Sequence, residues 1–383
     1  MIAYDLLQTP IKQFIANQMP DWIVPDFAAH WVVDIAKEYA VPLVYFSAFS
    51  AGSSVFFGPP ENLSGANRNY ALPSPKSLTS PPEWITFPSL VAFKEYEAIY
   101  VPRGFWGADS TGISGASRLS RIISASQALA LRTCNEIEGD YVEMYKKITG
   151  KPVIPTGVLP PDQARKRAKG KINSDVPMLH WLDKQKPRSV VFGSECKLSK
   201  EQVHEIAHGL ELSDLPFIWG LRKPNSANSD QVDDFLPLGF VDRTSEKGLV
   251  CFGWVPQIEI LGHPSIGGSL FHSGWGSVIE TLQFGHCLVV LPIIIDQPLN
   301  ARLLVEKGLA AEVKRNEDGS LSREEIAKSL RLAMVEEEGE QLRTNARKAG
   351  AVFGDHKLQD HYIGAFVEYL ENNIKKELIN RSS

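Results

Sequence analysis

A short stretch near residue 270 combines residue types that can bind a phosphate group. A predicted strand ends at Phe271 and runs through Gly274 and Gly276 into a predicted helix that starts near Ser277. Such a turn directs backbone N–H groups, and the positive end of the helix dipole, at an anion. His272 and Ser277 add side-chain donors at the same place. The pattern therefore predicts a phosphate or diphosphate site.

Other residues nearby suit the remaining parts of a nucleotide. Glu280 lies one turn into the predicted helix, where its carboxylate can accept hydrogen bonds from ribose hydroxyls. Trp254 follows a predicted strand and offers an aromatic face on which a base can stack. Asp296 and Gln297 follow the next strand, which places them at the carboxyl edge where open α/β sheets bind ligands.

Each of these residues also has a purely structural interpretation. Ser277 and Glu280 match a helix capping box, and for that pair alone the structural interpretation is favoured. A single Trp or His at the end of a strand more often fills the core. The glycines at 267 and 268 are consistent with turn chemistry. Only the combination of residues favours a binding site.

The spacing of these residues resembles the signature box of plant secondary-product glycosyltransferases, which runs for 44 residues from Trp to Asp-Gln. Here the box covers residues 254–297, and 297 − 254 + 1 is 44. The resemblance implies an α/β protein of the GT-B fold, with two facing Rossmann-like lobes and parallel sheets. It also implies a UDP-dependent enzyme that transfers glucose or rhamnose, with inversion. The acceptor would be a hydroxyl of a small plant metabolite or its glycoside, of the terpenoid or flavonoid class.

The resemblance assigns a role to each residue of the box. The uracil would stack on Trp254, and the uridine would also contact Gln257. Glu280 would hold the ribose hydroxyls. The other assigned residues contact the diphosphate (His272, Trp275, Gly276, Ser277 and, from the first strand of the C-terminal lobe, Ser194) or the donor sugar (Asp296 and Gln297). No metal and no further cofactor is implied.

Gly276 departs from the usual family pattern, which has Asn at this position. A side-chain amide donor is therefore missing, while glycine lets the backbone approach a ligand more closely. The branch of the family that adds sugars to existing glycosides resembles this chain at that position. We interpret Gly276 as a mark of that branch.

Asp26 follows a predicted strand at 21–26 and matches the family's acceptor-side Asp, which orients a catalytic His. Such a pair suits the reaction, because an alcohol is a poor nucleophile at neutral pH. A helix N-cap is the structural alternative for Asp26.

His30 does not replace the catalytic His, which the family carries after its first strand. We therefore expect an N-terminally truncated chain that lacks the first βα units, roughly 60–90 residues. The corresponding alternative function is a non-catalytic UDP-sugar-binding remnant.

Four further residues are weaker candidates on the acceptor side. Ser47 follows a predicted strand and is a candidate for contact with the donor sugar. Trp31, Phe49 and Trp106 either line an apolar acceptor pocket or fill the core, and the core is favoured for each of them.

Apolar strand-length runs alternate with amphipathic segments along the chain, as parallel α/β folds require. In the first half, strands are predicted at 21–26, 42–46, 133–136 and 153–157. We predict a truncated acceptor-side lobe at 1–160, a polar linker at 161–178 and a UDP-sugar-binding lobe at 179–360. A last helix at 361–383 is expected to pack back on the first lobe.

The composition limits the partners. A net charge of −5 and a pI near 6.0 argue against nucleic acid, which requires a basic surface. No apolar run reaches the roughly 18–20 residues that span a bilayer, and the N-terminus lacks a signal-peptide pattern. A NAD-dependent enzyme is a formal rival, but the chain lacks a GxGxxG after a first strand. The expected partners are a UDP-sugar donor and a small-molecule acceptor.

The four cysteines (Cys134, Cys196, Cys251 and Cys287) are far apart and lack metal-binding spacing. This usage is typical of buried cysteines in a reducing compartment. We therefore predict a cytoplasmic protein, and we expect it to be a monomer.

Overall fold

The computed structural model divides the chain into two units. The first comprises Met1–Leu159, Pro298–Asn300 and Asp355–Ser383, and the second comprises Pro160–Gln297 and Ala301–Gly354. The structure describes residues 1–65, 72–161, 177–194, 198–221 and 235–382, with side chains to residue 374. The lobe boundary predicted at 160 lies beside the observed division. Nearly all of the predicted linker at 161–178 lies outside the described residues.

The strands are short and are all paired in parallel. They are β1 (Val44–Ser47), β2 (Ala128–Leu131), β3 (Val153–Pro155), β4 (Val190–Ser194), β5 (Phe217–Leu221), β6 (Gly248–Phe252), β7 (Ile266–Phe271), β8 (Cys287–Val290) and β9 (Ala310–Glu312).

Helices connect and cover these strands. They are α1 (Ile2–Asp5), α2 (Gln8–Gln18), α3 (Val32–Glu38), α4 (Ala51–Phe57), α5 (Pro60–Ser64), α6 (Glu95–Ala98), α7 (Gly115–Ala125), α8 (Asn135–Thr149), α9 (Pro177–Leu182), α10 (Lys200–Ser213), α11 (Phe240–Thr244), α12 (Gln257–Leu261), α13 (Trp275–Leu282), α14 (Gln297–Glu306), α15 (Arg323–Met334), α16 (Glu340–Phe353) and α17 (His356–Ser382). Short 3-10 turns occur at Phe27–Ala29, Pro75–Leu78 and Glu337–Gly339, and a π turn at Pro102–Trp106. Within the described part of the chain, no helix is both long and apolar enough to cross a membrane.

The second unit is built on a six-stranded parallel sheet in the order β6-β5-β4-β7-β8-β9. Its strands are nearly continuous apolar runs, which is typical of a sheet covered by helices on both faces. Successive residues of β4 alternate between the two faces. Val191 packs in one apolar cluster, whereas Val190 and Phe192 pack in the other. The sheet is therefore buried on both sides.

The strand order reverses in the middle of this sheet. From β4 the chain moves outward through β5 and β6, and then returns to place β7 on the other side of β4. The chain continues outward in that direction through β8 and β9. In open α/β sheets such a reversal opens a crevice at the carboxyl ends of the strands, where ligands bind. The topology thus places a candidate site beyond the ends of β4 and β7.

Helix α10 shows how local sequence sets an element of this unit. The Ser199 hydroxyl accepts from the Gln202 N–H, and the Gln202 side chain accepts from the Ser199 N–H. This reciprocal pair is a capping box that satisfies free donors at the start of the helix. Val203, Ile206 and Leu210 then recur at helical spacing and bury one face in the core.

The first unit has a three-stranded parallel sheet in the order β1-β2-β3. The strand predicted at 21–26 is wrong, because only Ile23 forms a bridge there, with Leu43. The Phe46 N–H still donates to the Pro25 carbonyl beside β1. Pro25 has no N–H of its own, so it cannot extend the ladder. The segment lies along β1 without becoming a regular strand.

The prediction of a strand at 133–136 is also wrong. The strand is β2, which ends at Leu131, and the chain then turns into α8 at Asn135. The buried Glu138 carboxylate accepts from the Thr133 hydroxyl and from the Gly52 N–H, and these bonds hold the turn. The sequence of β2 is Ala-Leu-Ala-Leu, which suits a helix as well as a strand, so its composition does not identify it.

The C-terminal helix α17 packs on the first unit, to which it belongs, and begins at His356 rather than at the predicted 361. Phe366, Tyr369 and Leu370 contact the apolar cluster around β1 and β2. The hydrogen bonds that accompany this packing include Trp22 Nε1 to the Leu370 carbonyl (3.2 Å), the Asn135 N–H to the Tyr362 hydroxyl (2.9 Å), the Tyr362 hydroxyl to Glu136 Oε2 (2.9 Å) and the Val158 N–H to Gln359 Oε1 (2.8 Å).

Replacement of Gly364 by alanine should stabilise the protein. Gly364 lies inside α17, and a Cβ placed there would meet no atom within 4 Å. Alanine favours a helix over glycine by about 0.8–1 kcal/mol. Gly150 is the matched control, because a Cβ is equally unhindered there but φ is +64°. We expect Gly364→Ala to raise the thermal unfolding midpoint and Gly150→Ala to lower it. A lower unfolding midpoint in both variants would show that the backbone conformation at these two glycines does not decide the effect.

His286 should make the stability of the second unit dependent on pH. Its Nε2 lies 2.6 Å from the Leu261 carbonyl, and burial lowers the pKa of His286 to about 4. The unfolded chain therefore binds the extra proton first, so stability is complete above about pH 6.5 and is lost as the pH falls towards 4. Between pH 7.5 and 5 this loss amounts to about 2 kcal/mol.

Urea unfolding of the wild type and of His286→Gln at both pH values tests this expectation. Glutamine keeps a donor for the Leu261 carbonyl but does not titrate. Acidification from pH 7.5 to 5 should lower the unfolding free energy of the wild type by about 2 kcal/mol more than that of His286→Gln. An unchanged difference would show that His286 does not carry this dependence.

Candidate functional site

A cleft of about 650 Å³ lies at the carboxyl edge of the sheet in the second unit. It extends over the ends of four neighbouring strands, β6, β5, β4 and β7. This is the crevice that the reversal of strand order predicts. Its lining residues are Ser194, Gly220, Gly253, Trp254, Val255, Gln257, Ile258, Glu259, His272, Ser277 and Glu280.

Ser194 lies at the centre of this edge. It is the last residue of β4, and its register partners are Gly220 on β5 and Phe271 on β7. His272 follows directly after Phe271, so Ser194 and His272 end adjacent strands on either side of the reversal. Gly220 leaves room for the segment after β6, because a Cβ there would lie 3.1 Å from a methyl of Val255.

The turn from β7 into α13 forms the anion-binding end of the cleft. Gly274 is the N-cap and makes no side-chain cap bond, so the first N–H groups of the helix have no partner within it. A Cβ on Gly274 would lie 2.9 Å from His272 Nε2, so a larger residue there would displace the imidazole. Ser277 is the third helical residue, and it lines the cleft together with His272.

The helix starts at Trp275, two residues before the predicted start at Ser277. Ser277 is consequently inside the first turn and cannot be the N-cap of a capping box with Glu280. The structural alternative for this pair is therefore wrong. Their spacing of three residues instead places Ser277 and Glu280 on the same side of α13, where both line the cleft.

Glu280 is held by a second residue of the cleft. The Gln257 amide Nε2 donates to Glu280 Oε2 at a distance of 2.6 Å. Gln257 is the first residue of α12, 23 positions earlier in the chain. Because the amide is a donor, it orients the carboxylate as an acceptor for further hydroxyl groups. This arrangement suits a ribose diol.

Trp254 stands at the mouth of the cleft with 86% of its surface exposed. It follows Gly253, whose φ of +97° turns the chain sharply after β6. Its ring lines the cleft instead of packing in the core. The indole face is therefore available for stacking on a planar base.

The structure places the other predicted residues of the box outside the cleft lining. The Trp275 side chain is 3% exposed, so a contact with a phosphate would have to come from its backbone, as it would for Gly276. Asp296 and Gln297 follow β8 at the same carboxyl edge. Gln297 is 7% exposed, and its Oε1 accepts from the N–H groups of Ile293 and Ile294.

In the first unit, Asp26 is exposed at the end of the segment that lies along β1. It caps the 3-10 turn Phe27–Ala29, and its Oδ1 accepts from the Ala28 N–H at 2.8 Å. Asp26 is therefore an N-cap, the structural alternative considered for it. Phe27 and Phe49 contact each other beside it, with ring centroids 5.6 Å apart.

The remaining acceptor-side candidates are largely buried. Ser47 is fully buried, and its hydroxyl accepts from the Phe49 N–H. Trp31 is 5% exposed and belongs to the core. Trp106 packs edge-on against Phe57.

His30 is also buried. Its Nδ1 lies 2.8 Å from Arg118, and burial, followed by the charge of Arg118, lowers the pKa of His30. It is packed in the first unit and is not a candidate base.

Sequence reasoning missed five lining residues: Gly220, Gly253, Val255, Ile258 and Glu259. The glycines carry no side-chain chemistry and the apolar residues resemble core positions. Their only signal is adjacency to Trp254 and Gln257, or position at the end of a predicted strand.

Comparisons with known proteins show which family the chain belongs to. The sequence profile of the UDP-glucoronosyl and UDP-glucosyl transferase family matches residues 189–356. Soyasaponin III rhamnosyltransferase from Glycine max is 41% identical over 96% of this chain and 77% of its own. UDP-glycosyltransferase 91A1 from Arabidopsis thaliana is 38% identical over 97% of this chain and 78% of its own. A transferase from Siraitia grosvenorii solved with UDP has a TM-score of 0.76, with 25% identity over 96% of this chain and 87% of its own.

Two parallel sheets in separate units, together with the similarity to this solved transferase, define a GT-B glycosyltransferase fold. Within that class the chain belongs to the plant UDP-glycosyltransferase family. It is thus a UDP-dependent enzyme of sugar transfer, and a non-catalytic remnant is not favoured. The predicted fold class and enzyme class are confirmed.

Proposed function

We propose that the cleft binds the UDP moiety of a UDP-sugar. The uracil stacks on Trp254, and the ribose hydroxyls donate to Glu280, which Gln257 orients. The diphosphate lies at the N-terminus of α13, near His272 and Ser277. The observation that carries this proposal is the convergence of an exposed indole, an oriented carboxylate and a helix N-terminus on one cleft at the strand reversal.

The transfer reaction follows from that placement. The acceptor hydroxyl attacks the anomeric carbon on the face opposite the diphosphate, so the configuration inverts as UDP leaves. The α13 N-terminus, His272 and Ser277 stabilise the negative charge that develops on the diphosphate. Asp296 and Gln297 bind hydroxyls of the donor sugar. Asp26 orients the group that takes the proton from the acceptor.

The proposed reaction needs no metal or other cofactor. The helix dipole and the side-chain donors at the end of β7 supply the positive field that a metal ion gives to a diphosphate elsewhere. Transfer rates should therefore be equal in EDTA and in added Mg²⁺. A strict requirement for a divalent ion would overturn this part of the proposal.

The donor and acceptor classes are inferred from the relatives. The proposed donor is UDP-glucose or UDP-rhamnose, and the proposed acceptor is a terpenoid or flavonoid glycoside. Soyasaponin III rhamnosyltransferase is named for rhamnose transfer to a saponin, and a second relative, mogroside IIIx synthase, is named for the formation of a mogroside. Gly276 supports the same class, since the sugar-on-sugar branch resembles this chain there.

Calorimetry with UDP, followed by product analysis with both UDP-sugars and a panel of terpenoid and flavonoid glycosides, tests the function. Saturable UDP binding and a product heavier by one sugar are expected. Absence of UDP binding would overturn the donor site. Binding without any product across the panel would support the non-catalytic alternative instead.

We also propose that the enzyme is a cytoplasmic monomer. Burial raises the pKa of the Cys134 and Cys287 thiols, and both cysteines are free, which suits a reducing compartment. Light scattering should give a mass near 42.4 kDa. A mass of twice that value would contradict the monomer.

A further inference from the structure

Ser273 lies between the residues proposed to bind the diphosphate and those proposed to bind the sugar. It follows His272 at the end of β7, is fully buried and has a left-handed backbone with φ of +60°. Its hydroxyl lies 2.8 Å from the Gln297 carbonyl and 2.6 Å from the His272 carbonyl. A hydroxyl has a single proton to donate, so the two carbonyls share it.

The bond to Gln297 reaches the turn that follows β8, residues 292–297. Gln297 Oε1 accepts from the Ile293 and Ile294 N–H groups at 3.1 and 3.0 Å, so this side chain closes its own turn. Ile295 has φ of +55°, a conformation that β-branched residues rarely adopt. Such strain persists only where surrounding bonds enforce it, and it concentrates at ligand sites.

Asp296 lies between the strained Ile295 and the anchored Gln297. Its position is therefore set by the closed turn, and the turn is tied by the Ser273 hydroxyl to the loop that carries His272. The Ser273 hydroxyl thus forms a hydrogen bond from the end of β7 to the Gln297 backbone, 24 residues later in the chain. A shift of the turn would move Asp296 relative to His272 without changing the cleft around Trp254 and Glu280.

We propose that Ser273 is a positioning residue, which holds the sugar-binding turn at 292–297 in register with the diphosphate loop through its hydrogen bond to the Gln297 carbonyl. The inference rests on the proposed donor site. It predicts that loss of the hydroxyl weakens recognition of the sugar and spares recognition of UDP.

The test measures the ratio of the dissociation constants of a UDP-sugar and of UDP by calorimetry, with UDP-glucose and UDP-rhamnose as probes. Ser273→Ala removes the hydroxyl and keeps the strained backbone, whereas Ser273→Gly removes the hydroxyl and fits the left-handed conformation. Both variants should raise the ratio about fivefold, the size expected for one buried hydrogen bond, while UDP binding alone changes by less than about twofold.

Ser265→Ala is the matched control. Ser265 is buried just before β7, at the opposite end of the strand, and its hydroxyl donates to the Leu182 carbonyl at 2.8 Å. This variant loses a similar bond and should leave the ratio unchanged, although its unfolding midpoint falls.

Each outcome distinguishes the two proposals. If the wild type binds no UDP, the proposed function fails. If UDP binds and the ratio stays constant in both Ser273 variants, or if UDP and UDP-sugar weaken together, the positioning role is overturned and the donor site stands. A change in the alanine variant alone would assign the effect to backbone strain, which also overturns the role of the hydroxyl.

Discussion

Glu280→Ala should weaken UDP binding by at least about 100-fold, the largest effect on UDP affinity expected from any single change in the cleft. A carboxylate that accepts two ribose hydroxyls makes two charge-assisted hydrogen bonds, each worth about 1.5–3 kcal/mol. The substitution also leaves the Gln257 amide without the acceptor it has at 2.6 Å. Calorimetry with UDP gives the loss directly, since each 1.4 kcal/mol is about tenfold in affinity.

A thermodynamic cycle with 2′-deoxy-UDP shows whether the loss comes from the ribose. The wild type should bind UDP at least about tenfold more tightly than the deoxy compound, whereas Glu280→Ala should bind both equally. Glu259→Gln is the control, because Glu259 lines the same cleft but has no proposed ligand contact. An equal preference for UDP over 2′-deoxy-UDP in wild type and Glu280→Ala would show that Glu280 acts elsewhere.

Much of the cleft was predictable because its chemistry lies in short, regularly spaced segments. Ser194, Trp254, Gln257, His272, Ser277 and Glu280 were selected from the sequence, and all six line the cleft. Spacing of three residues on one helix places Ser277 and Glu280 together without knowledge of the fold. Ser194 and His272 are also predicted to lie close together, because they stand at the carboxyl ends of adjacent parallel strands.

Contacts between distant segments were not predictable in this way. The bond from Gln257 to Glu280 joins two helices, and that from Ser273 to Gln297 joins two loops. Trp275 was expected at the ligand, but a helix that starts two residues earlier turns its ring into the core. Nothing in the local sequence of Gly274 or Gly276 fixes which residue begins the helix.

The second unit was easier to predict than the first for a physical reason. Its strands are apolar runs of strand length, such as Phe217–Leu221 in β5, which follows Pro216. In the first unit, β2 has the composition of a helix, and Pro25 interrupts what resembles an edge strand. Hydrophobic runs indicate burial there, but hydrogen-bond pairing decides which runs become strands.

His272→Ala should lower the rate of sugar transfer by a factor of about 10²–10³ while weakening UDP binding by about tenfold or less. The rate should fall more than the UDP affinity because the diphosphate gains negative charge only as the bond to the sugar breaks. A donor placed at that point stabilises the transition state more than the bound substrate. His272→Gln keeps an N–H donor and should recover part of the rate.

His263→Gln provides the comparison within the same box. His263 lies before β7, at the opposite end of the strand, where its imidazole contacts Asp183 and accepts from the Ser265 N–H. This variant should lower the unfolding midpoint and leave kcat within about twofold, because the residue is remote from the carboxyl edge. Equal losses of kcat and of UDP affinity in His272→Ala would mean that His272 binds substrate and transition state alike. The charge on the leaving group would then have to be stabilised by Ser277 and the N-terminus of α13.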